Sequence, residues 1–401
     1  MNRLRLIMQS LGSWPEKRYN NDRLFAGSKC NLLWIMASIV AITLALVFVL
    51  QNWHEITFFD LGHDILCILL TYWVLQRLIL ARTQKYQEMV RDYLYEFHLF
   101  YYKDQSQYSA KMYSLIHVIS GIFTFYVICL MVTGMTLFNL KPWYNNYSRG
   151  MFSAHRPANS TFEHAVYLYS PGGFSYTNMK GYWILFIWNL PVSYFVTCGL
   201  CGFDLLVSTI IFQILGHLEI LKYNLLSIPL PTDEGKDGMY SIEENIQIRK
   251  YLKENIVHHK LIINFVEKCS DALSKYLFLF YLIQQITSCI LLLEISAMTS
   301  DALAKYGPLT CGLYQQLIQI SVLFELVNTK SVQLIDSIYE LPWECMDTSN
   351  RKTVLFMLLR AQTTLSLKAG KLVPVGVQTM AAILKTTISY YMMLRAVAGD
   401  R

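Results

Sequence analysis

The sequence predicts an all-α membrane protein with seven transmembrane helices, and three observations support this fold class. Of its 401 residues, 54% are hydrophobic and only 15% are charged, whereas soluble domains carry about 25% charged residues. The mean hydropathy is +0.32. Long apolar runs recur along the chain, several of them near the roughly 20 residues that a helix needs to cross a bilayer.

The seven predicted spans are the apolar runs between polar connections. The first, residues 30–50, has no charged residue and is the clearest of them. The others cover residues 61–80, 113–138, 182–215, 276–293, 309–324 and 372–394. The fourth contains Pro191, a residue that bends helices. The second and fourth contain Asp64 and Asp204, which must find a partner or water inside a membrane; an ion path and pairing inside the bundle both fit.

The charges of the connecting segments predict the orientation. Residues 1–29 hold six Lys or Arg against two acids, and the connections after the second, fourth and sixth spans are also rich in Lys and Arg. Because positive segments stay inside, the N-terminus is predicted to be cytoplasmic and the C-terminus extracellular. Residues 140–180 then form a long outer loop, which contains N-glycosylation sequons at Asn146 and Asn159.

Other protein classes fit the sequence poorly. A G-protein-coupled receptor has the opposite orientation, and neither Asp-Arg-Tyr after the third span nor Asn-Pro-x-x-Tyr in the seventh is present. The adjacent pair His258 and His259 cannot share one helix face and is interpreted as two solvated residues. Cys198 and Cys201 stand in an apolar run and are interpreted as packing residues. We therefore predict no enzyme, no metal and no cofactor, and the net charge of +6 indicates membrane topology rather than nucleic-acid binding.

The last predicted span is unusually polar for a lipid-facing helix. Such polar groups are typical of a helix that faces protein or a water-filled path. They are Gln378, Thr379, Lys385, Thr386, Thr387 and Ser389.

The C-terminal stretch carries a family signature. Its motif residues are Tyr339, Pro342, Trp343, Gln362, Gly370, Lys371, Ser389 and Tyr390. With the inverted seven-span topology along essentially the whole chain, they resemble the tail of insect odorant receptors. The segment from Pro342 to Asp347 is similar to a moth and butterfly branch, although Glu344 replaces a common aromatic residue. Residues 229–275 are too short for the co-receptor's inner loop, so the chain resembles an odorant-tuning subunit.

The resemblance implies a subunit of a ligand-gated, non-selective cation channel of four subunits, some of them the odorant co-receptor. It implies the plasma membrane of olfactory sensory neurons. The expected regions are a cytoplasmic leader (1–29), helices 1–4 with an outer odorant pocket (30–228), cytoplasmic anchor helices with spans 5 and 6 (229–371), and a pore-lining helix 7 with the C-terminal end (372–401).

The resemblance also implies the functional residues. A small volatile apolar ligand is expected between helices 2, 3, 4 and 6. Among the candidates Tyr314 is singled out, because its hydroxyl could bond a ligand ether, ester or aldehyde. The ligand-binding candidates are His63, Leu66, Leu70, Met131, Gly134, Met135, Phe138, Trp183, Phe186, Ile187, Leu313, Tyr314 and Leu317.

The pore candidates follow from aligning the tail to the family. Met393 and Val397 are expected at a hydrophobic gate, with Ser389, Thr386 and Gln378 deeper on the same helix. A homomeric gustatory-type channel of the same superfamily and a transporter remain alternatives. The Ser389-Tyr390 ending favours the odorant type over the gustatory type, and internal repeats, which many transporters contain, are not evident.

Overall fold

The computed structural model describes residues 2–14, 28–54, 56–153, 156–157, 160–232, 238–296 and 300–399. Over these ranges the chain is mostly helical. The helices are α1 (Asn2–Ser10), α2 (Ser28–Gln51), α3 (Phe58–Ala81), α4 (Gln84–Asp92), α5 (Gln107–Ser148), α6 (Phe174–Thr177), α7 (Met179–Leu226), α8 (Ile242–Ile295), α9 (Ser300–Tyr339), α10 (Thr348–Ala361) and α11 (Val377–Gly399). Two short strands, β1 (Lys368–Ala369) and β2 (Val373–Pro374), form an antiparallel hairpin before α11.

Each predicted span corresponds to one long helix. Within the described residues, α2, α3, α5, α7 and α8 are long and apolar enough to cross a membrane. The remaining two, α9 with 40 residues and α11 with 23, are long enough but contain more polar side chains. A 23-residue helix is about 34 Å long, which exceeds the roughly 30 Å hydrocarbon core.

The helix α7 lies at the centre of the bundle. In its apolar window 83% of the residues are buried, compared with 22% in α2 and in α5. The two outer helices therefore present most of their apolar side chains to the surroundings, as helices in contact with lipid do. The end of the bundle that carries residues 149–178 is called the loop end below.

The predicted start of the long loop at residue 140 is wrong, because α5 continues to Ser148. Pro142 lies inside this helix and removes only one of its backbone hydrogen bonds. Side-chain contacts hold the final turns: Trp143 stacks on Tyr147 with ring centroids 5.9 Å apart, and the side chain of Asn146 bonds the backbone of Glu163.

In the structure a hairpin separates α10 from the helix of the last predicted span, residues 372–394. The helix α10 ends at Ala361, and α11 begins at Val377 rather than at residue 372. Between them the β1–β2 turn places Gly370 and Lys371 at φ of +60° and +64°. The backbone N–H of Gly370 donates to the Ser274 carbonyl (2.8 Å) and that of Lys371 donates to the Ser274 hydroxyl (3.0 Å). The hairpin is thus fixed to α8.

A buried ion pair joins three of the long helices. Arg77 of α3 contacts both carboxylate oxygens of Asp204 of α7, at 2.9 and 3.0 Å. The hydroxyl of Tyr276 on α8 donates to the same carboxylate at 3.1 Å, and the Arg77 and Asp204 side chains are 0% and 2% exposed. Of the two roles that the sequence left open for Asp204, the structure shows pairing inside the bundle.

The interpretation of His258 and His259 as solvated residues is wrong. His259 is buried and His258 is partly buried, and Nε2 of His258 lies 2.9 Å from Nδ1 of His217 on α7. The Nε2–H of His217 donates to the carbonyl of Phe97 at 2.7 Å. Burial lowers the pKa of His217 to about 3 and that of His258 to about 4. Packing of α8 against α7 beyond the predicted span explains the burial.

Candidate functional site: an apolar cavity and an exposed helix face

A cavity of about 140 Å³ lies between α2, α3, α5, α7 and α9. Its volume is near that of a cavity of about 150 Å³ that holds benzene in another protein. Its wall is formed by Ala41, Ile42, Ala45, Cys67, Ile68, Leu70, Thr71, Leu130, Met131, Gly134, Met135, Phe138, Val166, Leu168, Asn189, Val192, Ser193, Val196, Thr197, Leu200, Cys201, Lys305, Pro308, Leu309, Gly312, Leu313 and Gln316.

Prolines and glycines leave room for this cavity. Pro191 in α7 and Pro308 in α9 each lack a backbone N–H, so each helix loses one internal hydrogen bond beside the cavity. A Cβ atom added to Gly134 or Gly312 would meet no atom of the chain within 4 Å. The open space therefore reaches the backbone of α5 and of α9.

Six of the thirteen predicted ligand-binding residues line this cavity. They are Leu70, Met131, Gly134, Met135, Phe138 and Leu313. They come from α3, α5 and α9, three of the four helices between which the pocket was expected; α7 contributes other residues. Whether they contact a ligand stays a prediction.

His63, another candidate, lies beside the cavity rather than in its wall. Its ring is 6.3 Å from the ring of Phe138. Its Nε2–H donates to the carbonyl of Ala165, and its Nδ1 accepts from the hydroxyl of Tyr306, each at 3.1 Å. With both ring nitrogens engaged, His63 fixes the 160–170 segment over the helices.

The other six candidates lie apart from the cavity wall. Trp183 and Phe186 pack against each other, with ring centroids 5.6 Å apart, in an aromatic group at the loop end. Ile187 is exposed, whereas Leu66 and Leu317 are buried in the main core. Tyr314 interacts with Ser288 of α8. As ligand contacts these residues also remain predictions, and nothing in their placement supports them.

Sequence reasoning missed most of the polar part of the wall. Asn189 donates from Nδ2 to the carbonyl of Val166 at 3.3 Å, and Gln316 contacts the thiol of Cys201 at 3.8 Å. Lys305 lies 3.9 Å from a carboxylate oxygen of Glu163. Asn189 and Ser193 lie on one face of α7 on either side of Pro191, and this spacing around a proline is the signal that could have found them.

The helix α11 has one packed face and one exposed face. Thr387 is fully buried, and its hydroxyl lies 2.8 Å from the amide of Gln285 on α8. The predicted pore residues Gln378, Thr386, Ser389 and Met393 are all exposed. Their spacing of three, four or eight residues places them on the same side of the helix. Val397 belongs to the last turn of α11, but its side chain lies outside the described part of the chain.

The structure describes only one of the two asparagines in the predicted glycosylation sequons, Asn146. Asn146 is fully buried at the end of α5. Its Nδ2, the atom that a glycan would occupy, donates to the carbonyl of Glu163 at 2.7 Å, and its Oδ1 accepts from the Glu163 N–H at 2.9 Å. The folded chain leaves no space for a glycan there. Asn159 lies outside the described residues.

Fold and site together define a class: a helical membrane protein with an apolar cavity among its helices and a polar face on its last helix. The family model of the 7tm odorant receptors matches residues 64–388. This chain therefore belongs to the odorant receptor family of seven-helix membrane proteins, and the family predicted from its tail is confirmed. Members of this family are receptors and not enzymes.

Curated relatives match over part of their length. Odorant receptor 10 of Aedes albopictus is 25% identical over 168 residues, which cover 40% of this chain and 43% of that receptor. Odorant receptor 13a of Drosophila melanogaster is 26% identical over 173 residues, 40% of this chain and 41% of that receptor. The chain thus matches less than half the length of these two relatives.

A solved structure matches over nearly the whole fold. The insect olfactory receptor OR5 from Machilis hrabei has a TM-score of 0.79 at 14% identity, covering 98% of this chain and 96% of that one. The structure of the same receptor in complex with eugenol also has a TM-score of 0.79 at 14% identity, with coverages of 99% and 97%. At this identity the likeness establishes the fold, and it confirms the predicted all-α, seven-helix architecture.

Proposed function

We propose that this chain is the odorant-tuning subunit of a ligand-gated, non-selective cation channel formed with the odorant co-receptor. A small volatile ligand binds in the cavity, and a pore lined by α11 then opens. The observation that carries the proposal is the apolar cavity itself, enclosed by helices of a fold that the odorant receptor family shares. An enclosed apolar wall with a few polar groups is typical of sites for small apolar ligands.

The exposed face of α11 supports the pore part of this proposal. A helix that faces lipid is not expected to carry Gln378, Thr386 and Ser389 on one side, because polar residues in membrane spans usually face protein or water. Facing equivalent helices of neighbouring subunits, these groups would border water, and Met393 would form the hydrophobic constriction. Val397 would extend that gate.

The membrane arrangement belongs to the same proposal. The loop end is extracellular, and the basic N-terminal leader (1–29) and the helices of residues 229–371 outside spans 5 and 6 lie in the cytoplasm. Residues 30–228 contribute the ligand pocket, and residues 372–401 contribute the pore. The site of action is the plasma membrane of olfactory sensory neurons.

Two glycine substitutions on one helix test the cavity. Gly134→Leu places a side chain in the cavity, whereas Gly121→Leu changes the same helix at an exposed position that also has no neighbouring atom within 4 Å. With a ligand in the cavity, the added side chain would overfill the space, and overfilling costs roughly 1–3 kcal/mol. We therefore expect the half-maximal odorant concentration to rise about tenfold or more in Gly134→Leu and to stay near wild type in Gly121→Leu.

The measurement is whole-cell current in cells that express the chain with and without an insect co-receptor, under an odorant panel and with G-protein signalling blocked. Equal sensitivity of both variants would contradict the cavity as the binding site. Odorant-evoked current from this chain alone would favour the homomeric gustatory-type channel instead.

A further inference from the structure

Apart from Lys305, whose ammonium lies 3.9 Å from a carboxylate oxygen of Glu163, the cavity has few hydrogen-bond donors to offer a ligand. Its hydroxyl groups donate within the protein: Thr71 to the carbonyl of Cys67 (2.8 Å), Thr197 to the carbonyl of Ser193 (2.7 Å), and Ser193 to Oδ1 of Asn139 (3.2 Å). A ligand whose polar group only accepts hydrogen bonds would therefore find these donors already occupied.

In contrast, the wall contains a buried hydrogen-bond acceptor, Oδ1 of Asn189, that the protein leaves unpaired among the described residues. Asn189 is 2% exposed, and its Oδ1 is buried with no hydrogen-bond partner among the described residues. The orientation of the amide is determined by Val166, because a carbonyl can only accept and must face Nδ2 at 3.3 Å. An unpaired buried acceptor is unfavourable, so a donor from a bound molecule would satisfy it.

A second amide in the wall, that of Gln316, gives weaker evidence about the polar group of the ligand. Oε1 of Gln316 is also buried and has no partner among the described residues. Its Nε2, however, contacts the thiol of Cys201, and a thiol can donate or accept. Since the amide could therefore take either orientation, Gln316 does not specify the polarity of a ligand.

We propose that the ligand of this cavity is an apolar molecule carrying a hydroxyl group, an alcohol or a phenol, and that Asn189 Oδ1 accepts its hydrogen bond. The inference rests on the proposed ligand-binding role of the cavity. Oδ1 is buried, and we expect the wall beside it to yield to the bound hydroxyl while Nδ2 keeps its bond to the Val166 carbonyl. The remaining apolar wall then packs against the hydrocarbon part of the ligand.

Isomeric alcohol and ether pairs test this chemistry. The probes are 1-hexanol with 1-methoxypentane and 4-ethylphenol with 4-methylanisole, extended to further pairs of about six to nine carbons to suit a cavity of this size. Each pair has one molecular formula, so the two members differ in the donor and hardly in volume. The readout is the ratio of half-maximal concentrations, ether over alcohol, in cells that also express the co-receptor.

In the wild-type receptor we expect this ratio to be about ten, which corresponds to one hydrogen bond. In Asn189→Leu, which keeps a similar shape without the acceptor, it should fall to about one. Asn52→Leu is the matched control: its amide also donates to a backbone carbonyl, of Phe48 at 2.8 Å, but it does not line the cavity. That variant should keep the wild-type ratio.

A ratio near one in the wild-type receptor would overturn the inference while currents still support the proposed function, and this result needs no variant to fold. A ratio that persists in Asn189→Leu would overturn the role of Asn189. Absence of current with every pair and with the broad odorant panel, despite surface expression, would overturn the proposed function and the inference with it.

Discussion

At the scale of single residues, the Arg77–Asp204 pair has the largest predicted effect on folding. Removing one partner leaves a buried charge unpaired, which costs about 3–5 kcal/mol. We expect Arg77→Met to lose most of its surface expression and to unfold at a lower temperature in detergent. Replacing both residues, with Arg77→Met and Asp204→Leu together, should recover much of the loss.

The control for that prediction is an exposed pair. Lys85 and Asp271 lie 3.5 Å apart with side chains 66% and 59% exposed, and such pairs contribute little. Lys85→Met should therefore leave surface expression and the unfolding temperature almost unchanged. If Arg77→Met behaves like Lys85→Met, the buried pair does not have the structural role assigned to it.

A second residue-scale prediction concerns pH. Burial lowers the pKa of His217 to about 3, whereas an unfolded histidine titrates near 6.5. Between these values the unfolded chain binds the extra proton, so the stability that neutral His217 confers is complete above pH 6.5 and declines as the pH falls toward 3. From pH 6.5 to 5 the loss reaches up to about 2 kcal/mol for this one group.

The variant His217→Gln should reduce that dependence. The measurement is the thermal unfolding midpoint of the detergent-solubilised protein at pH 7 and pH 5. We expect a smaller difference between the two midpoints in His217→Gln than in wild type, and a wild-type difference in His54→Gln, which changes an exposed histidine. An unchanged difference in His217→Gln would show that other groups dominate acid unfolding.

Single residues also show where sequence reasoning stops. The cost of a buried carboxylate predicts that Asp204 needs a partner, but its partner Arg77 lies 127 positions away in sequence and only the packing of α3 on α7 identifies it. Tyr314 illustrates the same limit in the site. Its helix borders the cavity, but helix rotation directs its side chain to Ser288, whereas Leu313 lines the wall.

At the scale of elements, the long helices could be predicted because apolar runs of sufficient length have few alternatives in a membrane. The ends of these helices could not be predicted from the sequence. The helix α5 extends past Pro142 because aromatic and amide contacts hold its last turns. The hairpin before α11 depends on hydrogen bonds to Ser274, a residue in another helix. The sequence around the hairpin therefore does not predict it.

The exposed face of α11 leads to an element-scale prediction. Ser389 is exposed, whereas Thr387, two residues earlier, is fully buried against α8. In channels formed with the co-receptor, we expect Ser389→Cys to be modified by a water-soluble charged thiol reagent, with a change in odorant-evoked current. Thr387→Cys should be protected, and wild type, with its own nine cysteines, provides the baseline.

The outcome discriminates between two surroundings of that face. Modification that is faster in the presence of odorant would indicate that Ser389 borders a water path that opens with the channel. Absence of modification at Ser389→Cys, with normal currents, would place the face against lipid or protein and contradict the pore assignment.

At the scale of the whole molecule, adjacent residues of α8 connect the cavity wall to the last helix. Gln284 donates from Nε2 to the carbonyl of Leu313, a cavity residue of α9, at 2.9 Å. Its neighbour Gln285 contacts the hydroxyl of Thr387 on α11 at 2.8 Å. We therefore predict that a movement of α9 that accommodates a ligand is transmitted through α8 to the proposed pore helix.

This connection predicts coupling between Gln285 and Thr387 in ligand gating. Gln285→Leu alone removes the amide that contacts the buried Thr387 hydroxyl, and Thr387→Val alone removes that hydroxyl from the amide, which keeps its weaker contact with the Cys289 thiol at 3.7 Å. Each variant should therefore shift the odorant concentration–response curve. Replacing both removes the two polar groups together and is nearly neutral in comparison. Contacting residues typically show interaction energies of about 0.5–3 kcal/mol, and we expect a value in this range from the four half-maximal concentrations.

The matched comparison pairs Gln285→Leu with Thr43→Val, an exposed hydroxyl on α2 that bonds only within its own helix. That pair should be additive within about 0.5 kcal/mol. Additivity in the Gln285–Thr387 pair as well would mean that the contact between α8 and α11 does not bias opening, and the signal from the cavity would have to reach the pore helix through the direct packing of α9 on α11.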